Sequence, residues 1–215
     1  MANGCRRFNA IETANGSIAA GNAMLATGVQ TNLLLGGLGV YIPMTTPLVS
    51  AFQTIPVTTS LGPVIGVANG DLAVRQQIDG GLRFTGGAEQ LKANLELSGE
   101  FPAVHPPAAS IAQVISSVSS VLPFVSQTPI RRIWGGLLDL TPDALPVLGC
   151  IPNIDGLYVA AGFSGHGFGI APAVGEVMAN KILGKKNFIS LDAFSFDRFS
   201  NPLETYQNST PTLHG

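Results

Sequence analysis

The eight residues at 162–169 read Gly-Phe-Ser-Gly-His-Gly-Phe-Gly, four glycines and a histidine between the apolar run 157–161 and a segment opening on Pro172. A strand, a glycine-rich loop and a helix in that order can do one kind of chemistry well. Glycines carry no Cβ, so a flat ligand can lie close to the backbone. The unpaired N–H groups and positive end of the following helix then face that ligand, which suits an electron-rich or anionic group. The same residues also make a tight strand-to-helix connection with no ligand at all. A dinucleotide fingerprint GxGxxG would need glycine where Ile170 stands, and no phosphate-cradling GxxxxGK[ST] occurs anywhere in the chain.

Other reactive side chains are few. His166 reads either as a polar group at an active site or as a structural hydrogen-bonder. Arg83 reads either as an anion-pairing guanidinium or as an exposed residue of an alternating strand with Asp79 nearby. Asp139 and Asp143 lie four apart across Pro142, so they suit turns rather than a helical carboxylate pair, and Thr141-Pro142-Asp143 is itself a turn signal. His105 and His214 read as incidental. Cys5 and Cys150 form no metal or redox spacing, and no Ser/His/Asp or Cys/His constellation or metal site is expected.

The elements that must position these residues are short, because 26 glycines and 15 prolines cut up the chain. Residues 8–13 and 17–20 read as a hairpin around Asn15-Gly16, and 23–26 as a strand ending at Thr27-Gly28. Residues 29–35 allow a helical turn and a half. Residues 49–57, 72–78 and 82–84 read as strands, with a turn at Gly80-Gly81. The spacing of Ile111, Val114, Ile115, Val118, Val121 and Leu122 predicts an amphipathic helix between Pro107 and Pro123, with Ser116, Ser117, Ser119 and Ser120 facing away. A second helix is predicted from Pro172 to Leu183, stopped by Gly184. Everything beyond Asp197 reads as a poorly ordered tail.

Composition bounds the class. Only 11% of residues are charged, against about 25% in an ordinary globular chain. Three uncharged runs, 13–70, 101–130 and 156–175, make up about half the chain. Disorder is excluded by 46% apolar residues, and a formal net charge of −2 lacks the basic surplus that nucleic acid demands. Glycine and polar residues interrupt 17–42 too often for the roughly 20 apolar residues of a membrane span. The N-terminus lacks a signal-peptide pattern, so a cytoplasmic location is expected.

Trp134-Gly135-Gly136, then Asp139-Leu140-Thr141-Pro142-Asp143, then GFSGHGFG together resemble the C-terminal part of the FAD-dependent amine and amino-acid oxidoreductases. That family includes D-amino-acid oxidase, glycine oxidase and sarcosine oxidase, and the DLTPD stretch is similar to the β-subunit type of the last. More loosely, Met24-Leu25-Ala26-Thr27-Gly28 is similar to a family strand and turn, and residues 75–84 to its substrate-domain hairpin. The resemblance implies an α+β fold, with a mostly antiparallel substrate-domain sheet flanked by helices and an incomplete Rossmann-like half. Its expected segments are a partial FAD-binding domain at 1–44, a substrate domain at 45–133, an FAD-contacting segment at 134–200 and a tail at 201–215.

It further implies that Gly28, Gly136, Gly165, His166, Gly167, Phe168 and Gly169 line the cofactor, and that Arg83, at the place of a lysine in sarcosine oxidases, and His166 face the chemistry. The activity implied is oxidation of a C–N bond of an amine or amino acid by hydride transfer to FAD. Gly136 replaces a flavin-linking cysteine of monomeric sarcosine oxidases, so the FAD is expected to be non-covalent. Leu138 replaces a carboxylate-clamping arginine of glycine-oxidase-like members, and Gly169 replaces a lysine. The family's opening GxGxxG is missing, which implies either a separate polypeptide supplying that half or a non-catalytic subunit or truncated remnant.

Overall fold

The computed structural model describes residues 6–67, 72–89 and 104–199. Their architecture is α+β, in two compact units. The chain runs through β1 (Arg6–Arg7), β2 (Ala10–Thr13), β3 (Gly16–Ala19), β4 (Ala23–Leu25) and the short helix α1 (Thr31–Gly36). The second unit follows, with β5 (Leu48–Pro56), β6 (Ile65–Gly66), β7 (Leu72–Gln76), β8 (Gly81–Glu89), helix α2 (Ala108–Val121) and β9 (Ile130–Leu137). The chain then returns to the first unit with β10 (Val147–Cys150), β11 (Ile154–Asp155), β12 (Leu157–Ala161) and helix α3 (Gly167–Ile182). The first unit takes its described residues from 6–45 and 139–199, the second from 46–138. A boundary at 133/134 would cut β9.

In the first unit the central sheet is ordered β10-β12-β4, with β12 antiparallel to β10 and parallel to β4. Leu157, Val159 and Ala161 point into a cluster with Leu35, Ile42 and Val147, while Ala160 packs with Val177 and Met178 of α3. Burial on both faces explains why β12 is apolar throughout rather than alternating. The β2–β3 hairpin forms as expected, but the positive φ falls on Gly16 (+114°), after a turn at Ala14-Asn15.

In the second unit five antiparallel strands are ordered β6-β7-β8-β5-β9. One face carries Phe52, Val74, Leu82 and Phe84 against Val114 and Val118 of α2. The Phe52 and Phe84 rings stack with centroids 4.7 Å apart, a pairing worth about 1 kcal/mol beyond its buried area. Helix α2 matches the predicted stripe, although Val121 at its last turn is exposed and Ser119 Oγ is buried without a partner.

Two expectations need correction. Helix α3 begins at Gly167, not Pro172, which lies inside it. Proline's fixed φ is already helical, and its missing N–H costs only the bond to the Phe168 carbonyl, so Gly167 to Ala171 join the helix ahead of it. The residues just past Asp197 are also anchored: Arg198 and Phe199 belong to a one-turn 3-10 helix, Phe196–Phe199, packed on the first unit. Residues 201–215, His214 and Cys5 lie outside the described residues. No helix among the described residues is long and apolar enough to cross a membrane.

Candidate functional site

The site in the first unit grows from the parallel pairing of β4 and β12. Ala23 pairs with Leu157 and Leu25 with Val159, so the carboxyl ends of the two strands lie side by side. Gly28 stands in the turn after β4 and residues 162–166 in the turn after β12. Ligands of open α/β sheets bind in the crevice at such strand ends. Gly28 and the Gly165-to-Gly169 segment are thereby brought to one edge of one sheet.

The turn after β12 is clamped from beneath by the DLTPD segment. Gly162 N–H donates to Asp139 Oδ2 at 2.7 Å, and Ser164 N–H donates to the Asp139 carbonyl at 3.1 Å. Thr141 N–H donates to Ser164 Oγ at 3.2 Å, and the Thr141 hydroxyl lies 3.2 Å from the same oxygen. Thr141 and Ser164 are fully buried. Three residues take positive φ in sequence order: Gly162 (+71°), Ser164 (+51°) and Gly165 (+87°). Gly162 has no substitute, because a Cβ there would run into the Thr141 methyl group and its φ strains any L side chain. Ser164 tolerates the same region only because its hydroxyl is held by Thr141 and by the Gly162 carbonyl.

Beyond the turn, His166 caps α3 through its backbone alone: its carbonyl accepts from Gly169 N–H at 3.2 Å, and no side chain caps the helix. The first turn holds no acidic residue, so its N–H groups keep their hydrogen-bonding capacity and positive potential for an external acceptor. Phe168 is 100% exposed, and the segment from Gly165 onward is open to solvent as far as Ala173 except for half-buried Gly167. A Cβ on Gly28 or Gly169 would meet nothing within 4 Å, so open space stands beside both.

Asp143 serves the clamp differently. Its carboxylate receives a forked pair of bonds from Arg198, at 2.7 Å from Nε and 3.2 Å from Nη2, and accepts from Leu145 N–H at 3.2 Å. Burial alone would raise the Asp143 pKa, but the Arg198 pairing and the Leu145 N–H outweigh it and hold the carboxyl below its ordinary value. The turn roles expected of Asp139 and Asp143 are those observed. Nothing in the sequence marks Thr141, Ser164 and Arg198 as supports, since no periodicity singles out a residue that works through a partner 23 or 55 positions away.

Arg83 and Gly136 belong to the second unit. Arg83 is half-buried in β8, opposite Gln53 of β5 and Arg75 of β7. Gly136 lies in β9 opposite Val49, with open space where its Cβ would stand. His105 is exposed, just ahead of α2. Among the described residues no cluster of His, Cys, Asp or Glu is arranged to hold a metal ion.

The N–H-rich edge fits the electron-rich side of a flavin ring, but the sequence offers no GxGxxG for the cofactor's pyrophosphate. Comparison with known proteins places the chain among flavin-dependent oxidoreductases. The chain is 26% identical over 98% of its length to the sarcosine oxidase subunit beta of Rhizobium meliloti (strain 1021), covering 50% of that protein. It is also 26% identical over 92% of its length to a D-amino acid dehydrogenase of Paramagnetospirillum magneticum, covering 44% of it. Among solved structures, L-proline dehydrogenase from P. horikoshii matches with TM-score 0.76 and 28% identity, over 90% of this chain and 51% of that one. Glycine oxidase from Geobacillus kaustophilus shares the fold, with TM-score 0.76 at 22% identity. The chain thus spans about half the length of the relatives it matches. A family model described as FAD dependent oxidoreductase matches residues 2–181, and this chain belongs to that family.

Proposed function

We propose that this chain is the substrate-side portion of an FAD-dependent oxidoreductase that oxidises a C–N bond of an amine or amino acid. The observation that carries the reading is the clamped turn at 162–166 leading into the uncapped end of α3, beside Gly28 at the ends of two parallel strands. Bound non-covalently, FAD would supply the hydride acceptor. The N–H groups of Gly167 and Phe168 are placed to hold the electron-rich edge of the ring, with Gly28, Gly165, His166 and Gly169 bordering it. Helix α3 adds a positive potential that favours negative charge at that edge. Gly136 leaves no sulfur for a covalent link, and Arg83 supplies a permanent positive charge on the sheet face for a substrate carboxylate. In this reading the protein orients the substrate and excludes water, and His166 is a polar neighbour of the reacting centre.

Because the sequence holds no GxGxxG, we infer that the pyrophosphate is bound by a segment outside these residues, on a separate polypeptide or on more of the same chain. A cytoplasmic setting belongs to the same reading, in keeping with the exposed free thiol of Cys150. The test is to express the chain alone and together with a polypeptide carrying a strand and GxGxxG, remove unbound flavin, and record the visible flavin spectrum. Flavin retained in the pair supports the proposal, and flavin in neither preparation overturns it. The alternative reading is a non-catalytic subunit or remnant of such an enzyme. That reading expects retained flavin that no amine or amino acid bleaches under anaerobic conditions.

A further inference from the structure

We infer that the sheet face turned away from α2 in the second unit is a recognition site for a substrate bearing two carboxylate groups, built by Arg75, Arg83, Gln53 and Arg132. Calling the ligand a substrate rests on the function proposed above. The register places Arg75 opposite Arg83, Arg83 opposite Gln53, and Gln53 opposite Arg132. Directly opposed residues on antiparallel strands project to the same side, so these four form one row across β7, β8, β5 and β9. The next row on that face is Ala73, Thr85, Ala51 and Trp134, three small residues and an aromatic wall. The opposite face carries the buried Val74, Phe84 and Phe52.

This row is not neutralised from within. Like charges directly opposite on neighbouring strands destabilise a sheet, yet Arg75 faces Arg83. The ion pairs among the described residues are Arg7 with Asp155, Arg131 with Asp79, and Arg198 with Asp143, so the nearby carboxylate of Asp79 is already engaged, at 2.9 Å. Arg132 stacks over Trp134 at 4.8 Å. Arg75, Gln53, Arg131 and Arg132 line an open groove of about 720 Å³. Gln53 in its wall is only 4% exposed, and Gln77, also lining it, holds a buried Nε2 with no hydrogen-bond partner. Buried amide donors normally find an acceptor, and a carboxylate supplies one.

Two carboxylates fit better than one. A guanidinium takes a carboxylate through two parallel N–H bonds, and the outer arginines stand three strand spacings apart, roughly 14 Å at the usual separation. Their long side chains can close on a short dianion. Against the three guanidinium charges of the row, a single carboxylate would leave two uncompensated and a dicarboxylate only one.

Trp134 is the sole tryptophan of the chain and shares this face, so its fluorescence reports occupancy without any flavin. The full chain is titrated at constant ionic strength with malonate and glutarate, with acetate, and with inorganic phosphate. The expected result is a saturable change with at least one dicarboxylate, weaker by about tenfold or more for acetate and phosphate, and weakened about tenfold in Arg75→Gln and in Arg132→Gln. Arg7→Gln, in the other unit, serves as the control and leaves the titration unchanged. No saturation, an equal response to acetate or phosphate, or titrations indifferent to both variants would overturn the inference. Retained flavin with no dicarboxylate binding overturns this inference alone, whereas dicarboxylate binding by a chain that never holds flavin overturns only the cofactor reading.

Discussion

The turn after β12 and the open face of the five-stranded sheet prepare for a ligand by opposite means. The turn offers backbone: its useful groups are N–H donors, and its side chains either point to solvent, like His166, or are buried as supports, like Ser164 on Thr141 beneath it. The sheet face offers side chains: its backbone is consumed in the ladder, and its chemistry rests on three guanidinium groups set in register. Backbone donors need a conformation that few residues adopt, so the turn should be intolerant of added atoms and indifferent to charge. Side chains on a pleated face are replaceable without moving the sheet, so that face should be tolerant in stability and sensitive in binding.

The sharpest way to break the comparison is Gly162→Val. Strain at positive φ and the collision with Thr141 together should cost about 3 kcal/mol or more, measured by urea denaturation, with loss of any flavin the wild-type chain retains. An unchanged midpoint would show that the clamp is not needed. Next is Asp143→Asn, which removes the partner of a forked, largely buried arginine and should cost about 2 kcal/mol. The sign with pH follows from a folded pKa below the ordinary 3.8. The stabilisation is complete above that ordinary value and is lost as pH falls through the lower, folded one. Wild-type stability should therefore approach that of Asp143→Asn only on acidification, and a constant gap down to the lowest pH would refute the pairing.

The sheet face should respond the other way. Arg75→Gln relieves a like-charge cross-strand pair and should raise stability by about 0.5 kcal/mol in low salt, the gain shrinking as salt is added. A loss of stability would mean that Arg75 packs structurally. Smallest of all is Phe168→Ser, which should change stability by less than about 0.5 kcal/mol, because the ring touches solvent on all sides. Its effect should appear instead in flavin retention or in association with a GxGxxG-bearing partner, read by co-purification.

Much of the fold was legible because its signals are local. The apolar stripe of α2, the hairpin at 10–19 and the strands flanking Gly80-Gly81 follow from periodicity and turn chemistry. The start of α3 was not legible, because Pro172 is a strong local signal for a first turn while Gly167 and Gly169 ahead of it have weak helix propensity. The anchoring of Arg198 was not legible either, because its partner, Asp143, is remote in sequence. Gln53 carried no signal at all, being one glutamine in an apolar strand.

By itself the sequence determined a low-charge, glycine-punctuated α+β chain with a strand–turn–helix whose residue types suit an electron-rich ligand. Those properties reside in residue type and short spacing. Only the tertiary structure decided that DLTPD lies under the turn and fixes its positive-φ residues, that Gly28 shares its edge, and that three arginines from three strands share one face. Each of these is set by strand register and packing, which no local pattern encodes.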